Sequence, residues 1–169
     1  MTESEFGQLP KKVQKQFAAA LGWLNLGNWQ EARGELDSVP AEYREQPLMA
    51  GLYLEVLSSG RQWREMQLRA SLMAERFPGD VQWLISQAYA TRRAESLPKA
   101  RKVLQAAYER FPQVALVCYN LACYAAQFGE LEEAKSYLTE AVGLDAEYKD
   151  MALQDEDLEP IREFVLDIR

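Results

Sequence analysis

Ala100, Leu104 and Ala107 return 34 positions later as Ala134, Leu138 and Ala141, and a period of that length is the mark of stacked helical hairpins. Laid over the chain, it defines windows at residues 13–46, 47–80, 81–114 and 115–148. The eighth position of each window holds Ala20, Leu54, Ala88 and Ala122, the twentieth Ala32, Met66, Ala100 and Ala134, and the twenty-seventh Val39, Met73, Ala107 and Ala141. Small residues belong at such sites because helices reach the short end of the 8 to 10 Å packing range only when no bulky side chain separates them. The second window departs from the rule. Met66 and Met73 stand where small residues belong and Ala70 where a large one does, yet Phe77-Pro78 and Phe111-Pro112 lie one period apart and support a hairpin there.

Punctuation agrees with this division. Pro47, Pro98 and Pro160 each sit where a helix begins, where a missing N–H costs nothing. Gly27, Gly60 and Gly129 fall between paired helices, as left-handed terminators do. Asp80, after Phe77-Pro78-Gly79, suits an N-cap for the first helix of the third window. The pattern predicts helices over 9–26, 29–38, 47–59, 61–76, 80–93, 97–110, 113–128 and 131–143. A ninth is expected over 160–168, with Ile161, Phe164, Val165 and Ile168 on one side to cover the helix at 131–143.

The sequence of 169 residues, 48% of them hydrophobic, is long enough to bury about two thirds of the surface its unfolded chain exposes. It contains no apolar run of membrane-spanning length, and the opening stretch MTESEFGQLPKK lacks the apolar segment of a secretory signal. A cytoplasmic location without membrane insertion is therefore expected. Cys118 and Cys123 match neither a disulfide framework nor a thiol redox motif and are expected to be small packed residues.

The catalytic inventory is thin. With no histidine, the commonest metal ligand and the usual general base are missing. The carboxylates lie in runs such as Glu130, Glu132, Glu133 and Asp155, Glu156, Asp157, which suit solvated faces or first helical turns. The acidic stretch 145–159 has no glycine for a calcium loop. No enzyme activity, catalytic residue, metal site or cofactor is expected.

Charge is unevenly spread over the net −7. Residues 1–80 carry nine Lys and Arg against eleven Asp and Glu, residues 81–114 six against two, and residues 115–169 four against thirteen. The third window is a basic island, with Arg92, Arg93, Lys99, Arg101, Lys102 and Arg110. The acidic last third argues against nucleic acid as a partner.

The fourth window, with Cys118, Leu121, Ala122, Ala125, Gly129, Ala134, Leu138 and Ala141, resembles the tetratricopeptide repeat pattern, smaller groups replacing the family's aromatic ones. The resemblance implies an all-α, right-handed α-solenoid of about four hairpins with a C-terminal cap over 149–169, forming one domain over 1–169. In that family positions 2, 5, 9, 12 and 13 of each repeat face a concave groove. Carried over, they imply Gln14, Phe17, Leu21, Leu24 and Asn25 from the first window and Leu48, Gly51, Glu55, Ser58 and Ser59 from the second. The third supplies Gln82, Ile85, Tyr89, Arg92 and Arg93, and the fourth Leu116, Tyr119, Cys123, Ala126 and Gln127.

The implied function is a non-catalytic protein–protein interaction module, an adaptor or chaperone-like protein, that holds a peptide or helical segment of a partner. Phe17, Leu21, Asn25, Glu55, Ile85, Tyr89, Arg92, Arg93, Tyr119, Cys123 and Gln127 are its candidate contacts. Tyr89 and Tyr119 offer stiff contact area, and Arg92 or Arg93 could fork onto a carboxylate, so the expected ligand carries apolar and acidic groups. The carboxylate-clamping subset of the family is disfavoured, because its Lys, Asn and Arg positions here hold Phe17, Leu21, Gln82 and Ser86. The alternative is a self-assembling structural component, in which the acidic C-terminal tail folds back or reaches a neighbouring copy and pairs with the basic third window.

Overall fold

The computed structural model describes residues 6–168. Residues 1–5 of the opening stretch and Arg169 at the end of the expected cap lie outside the described residues. The described chain is helical without strands and divides after Ala94 into two compact units, a boundary that falls inside the third window.

The first unit contains α1 (Lys11–Asn25), α2 (Trp29–Asp37), the short α3 (Ala41–Arg44), α4 (Pro47–Ser59), α5 (Trp63–Arg76) and α6 (Gln82–Ala94). The second contains α7 (Leu97–Arg110), α8 (Ala115–Gln127), α9 (Leu131–Leu144), α10 (Glu147–Gln154), a 3-10 segment (Glu156–Ile161) and α11 (Arg162–Asp167). The helices expected before residue 144 agree with their observed counterparts to within two residues at each end. The sequence pattern missed α3 and α10, both too short to show a helical period. Elements pack on their chain neighbours: α1 on α2, both on α4, α4 on α5 and α5 on α6, and, in the second unit, α7 on α8, α8 on α9 and α9 on α10. Among the described residues no helix is long and apolar enough to cross a membrane.

The repeat positions form the core. The residues at the eighth, twentieth and twenty-seventh positions are buried in all four windows, from Ala20, Ala32, Ala100, Ala107 and Ala134 at 0% exposure to Met66 at 5%. In α5, Met66, Ala70 and Met73 share the buried face, so the departure in the second window exchanges volumes between sites and keeps the helix register. Cys118 and Cys123 are buried thiols.

Three helix ends repeat one backbone motif at the same window position. The N–H of Gly27 bonds to the Leu24 carbonyl at 2.9 Å and that of Asn28 to Trp23 at 2.9 Å. Arg61 and Gln62 bond likewise to Ser58 and Leu57 at 3.0 and 2.8 Å, and Gly129 and Glu130 to Ala126 and Ala125, both at 3.0 Å. This paired pattern closes a helix around one left-handed residue, here Gly27 (φ 75°), Arg61 (φ 52°) and Gly129 (φ 76°). Gly60 is therefore not the terminator that its neighbourhood suggested, since its φ is −81°. It is small for another reason: a Cβ there would lie 2.5 Å from Cδ2 of Trp29.

The C-terminal cap differs from its expected form. Pro160 lies inside the 3-10 segment, and the last α-helix starts two residues later at Arg162. Leu158, Ile161, Val165 and Ile168 are buried, while Phe164 is only half-buried. The 3-10 segment packs on α8 and α9, and α11 packs on that segment and on α10. The cap thus reaches beyond the helix at 131–144 to cover α8.

Candidate functional site

In the first unit, α1, α4 and α6 enclose a groove of about 740 Å³. Leu52, Leu54, Met66, Trp83 and Phe17 form its largely buried floor. Leu21, Glu55, Ser59, Asp80 and Gln82 stand at its exposed rim, and Pro47, Leu48, Gly51, Ser58 and Ser86 complete the wall. Helical spacing explains the row along α4. Leu48, Gly51, Glu55, Ser58 and Ser59 fall three, four, three and one residues apart and so share one face.

This groove collects Phe17, Leu21 and Glu55 of the expected contacts, together with Leu48, Gly51, Ser58, Ser59 and Gln82 of the wider wall. Trp83 and Leu52 were not legible as lining residues. They sit one position from the wall positions of their windows, and only the depth between helices brings them into view. Trp83 is 5% exposed, and its indole N–H has no acceptor among the described residues. An uncompensated buried donor of this kind costs about 1–3 kcal/mol.

Gly51 lies in the interior of α4 with no atom within 4 Å of a built Cβ. Glycine weakens a helix interior by roughly 0.5–1 kcal/mol relative to alanine. Neither backbone conformation nor packing requires it here, and its absent side chain leaves the groove open at mid-wall.

Adjoining this groove, Ser58, Ser59, Arg61, Trp63, Tyr89 and Arg93 line a second hollow of about 480 Å³. The Arg93 guanidinium lies 3.5 Å from the Tyr89 ring centroid and 5.3 Å from that of Trp63, and the two rings meet edge-on at 5.8 Å. Stacking on aromatic faces holds the guanidinium while leaving N–H edges for a ligand. Ile85 and Arg92 are half-buried on α6, and Asn25 is exposed at the end of α1.

The two hollows have opposite charge. Among the described residues lining the larger groove, Glu55 and Asp80 are carboxylates and none is cationic. Asp80 accepts the Gln82 backbone N–H at 3.0 Å, the capping role expected of it. Glu55 has no hydrogen-bond or ion-pair partner among the described residues.

The remaining expected contacts lie in the second unit. Gln127 is exposed, whereas Tyr119 and Cys123 are 5% and 4% exposed because the chain's own tail lies over them. The Tyr119 hydroxyl donates to Asp155 Oδ2 at 2.7 Å, and the Cys123 thiol faces the same oxygen at 3.6 Å. Burial, and then the hydrogen bond to Asp155, push the Tyr119 phenol well above its ordinary range. Asp155 Oδ1 caps the 3-10 segment through the Asp157 N–H at 2.9 Å. The acidic tail does fold back, but Asp155 meets these neutral donors of α8 instead of the cations of the third window.

Those cations have other roles. Arg101 pairs with Glu130 and with Glu133, at 2.6 Å to the latter, and lies over the Phe128 ring at 5.2 Å. Lys99 pairs with Glu95, and Arg110 lies 5.3 Å from the Phe111 centroid. In the first unit Arg33 meets Glu65 at 2.9 Å, two periods before Arg101 meets Glu133. The same repeat positions thus form the same bridge twice, a pairing that charge counts by window did not disclose. Among the described residues no cluster of His, Cys, Asp or Glu is arranged to hold a metal ion.

No family model matches the chain, and no curated protein matches it. Solved structures do. One described as "MamA 41-end from Desulfovibrio magneticus RS-1" aligns with a TM-score of 0.68 at 16% identity, covering 94% of this chain and 96% of that one. Another, "MamA RS-1 ArsTM double mutant", aligns with a TM-score of 0.67 at 18% identity, covering 87% of this chain and 80% of that one. At such identities the likeness is one of fold. It places the chain among all-α helical-repeat solenoids.

Proposed function

We propose that this protein is a non-catalytic interaction module that holds an extended or helical segment of a partner protein in the groove of its first unit. The observation that carries this reading is the open groove of about 740 Å³ over a floor of Phe17, Leu52, Leu54, Met66 and Trp83. A concave apolar floor with a few polar groups at its rim is what a recognition site requires. Leu21, 37% exposed at the rim, extends the apolar surface outward. Beyond Ser59, Arg61 and Arg93 suit an acidic group of the same partner.

The test is photo-crosslinking in native lysate with benzoylphenylalanine placed at Ser58, with and without Gly51→Trp. A Cβ at this position meets no atom within 4 Å, so the substitution starts without a backbone clash and adds its bulk on the groove wall; unchanged helical content by circular dichroism checks that the fold survives. Cross-linked proteins that disappear with Gly51→Trp support the reading. Cross-links unchanged by that substitution, or none at all, overturn it.

A further inference from the structure

We infer that the occupant of the first unit's groove carries a lysine or arginine among apolar side chains, seated on Glu55. This deepens the proposed function and rests on the groove reading. Glu55 projects from mid-α4 into a groove with an apolar floor, has no partner among the described residues, and shares the rim with the Asp80 carboxylate. An occupant that covers these groups removes water from them. An unmatched carboxylate is then costly, whereas an ammonium or guanidinium satisfies it through charge-assisted hydrogen bonds.

The second unit offers an internal comparison. The ninth position of the window, Glu55 in the second repeat, is Cys123 in the fourth. There an acidic occupant is already seated, since Asp155 lies on the Tyr119 hydroxyl and the Cys123 thiol. On α8 the helix face donates and its occupant accepts; on α4 the ninth residue accepts, so its complement donates. One turn beyond Glu55, Ser59 borders the hollow of Arg61 and Arg93. The sign of charge therefore reverses along α4, and a bound segment with its cation at Glu55 and an acidic group near Arg93 has a defined direction.

The test selects random short peptides displayed on phage against the full chain, then measures recovered sequences as fluorescent peptides by anisotropy. Sequences rich in Lys or Arg between apolar residues should emerge. Their affinity should fall about tenfold with Glu55→Gln, the loss of one charge-assisted hydrogen bond, and vanish with Gly51→Trp. Glu55→Lys should shift the preference to Asp and Glu. Recovered peptides without a cation that still require an open groove overturn the cationic assignment and leave the groove reading standing. Peptides indifferent to Gly51→Trp, or no enrichment, overturn both. A dimer in sedimentation velocity that Gly51→Trp dissociates assigns the groove to a second copy and also overturns the inference.

Discussion

Two adjacent residues, Gly60 and Arg61, show how a single position can mislead. A glycine beside a helix end invites a left-handed reading, but here the left-handed residue is Arg61 and the glycine yields to the Trp29 ring. The period itself pointed to Arg61, which stands midway between Gly27 and the third window's Glu95. Opposite outcomes follow for the two substitutions. Gly60→Ala forces a Cβ against the indole and should lower stability by about 1–3 kcal/mol, as overpacking does. Arg61→Gly removes left-handed strain worth roughly 1–2 kcal/mol, less the extra freedom glycine gains when unfolded, for a net gain of about 1 kcal/mol. Urea unfolding of both variants beside the parent checks the pair, and equal midpoints for the two would refute this account of the turn.

Among the elements, the long helices were legible because nine or more residues of amphipathic period outvote any one deviant position. Ala100 and Ala134, both fully buried, mark the close contacts of α7 and α9. Ala100→Leu or Ala134→Leu should cost about 1–3 kcal/mol for the same reason of overpacking, read as a drop in thermal midpoint. The cap was less legible. Its apolar residues Ile161, Val165 and Ile168 were identified, but the 3-10 geometry around Pro160 and the burial of Tyr119 and Cys123 beneath Asp155 depend on contacts more than thirty residues apart in sequence. Asp155→Ala removes the acceptor that holds this turn to α8. Cys123 should then become reactive toward a thiol reagent, with the modified residue identified by mass spectrometry, while helical content holds. Continued protection would show that the carboxylate is not what pins the tail.

At the scale of the whole molecule, alkaline pH should expose how far tyrosines are built into the structure. Burial, followed by the hydrogen bond to Asp37, pushes Tyr53 up to about 12, and the hydrogen bond to Glu140, followed by burial, pushes Tyr108 up to about 12. Tyr119 is raised as well. A folded-state pKa above the unfolded value of 10.0 favours the protonated native form, so its stabilising contribution is complete below pH 10 and declines as the unfolded chain loses its proton first. The urea midpoint should stay level in its tyrosine contribution up to about pH 10 and fall from there toward pH 12. Tyr53→Phe should flatten the fall, and an unchanged slope in that variant would remove Tyr53 from the explanation.

The linear chain carries the repeat on its face: its period, its eight long helices and the buried positions that recur within them. These depend on local periodicity, which a linear string records in full. The wall positions on α4 came from the resemblance to the tetratricopeptide pattern, and helical spacing sets them on one face. Tertiary structure alone decided what each wall faces. Phe17, Glu55 and Gly51 border open space, whereas Tyr119 and Cys123, at equivalent repeat positions, lie beneath the tail. The charge of the groove was decided in the same way. Arg93 stacks on Tyr89 beside the groove, and Glu55 lines it with no partner among the described residues; which charge meets which neighbour depends on distances across the packed fold that spacing along the chain does not encode.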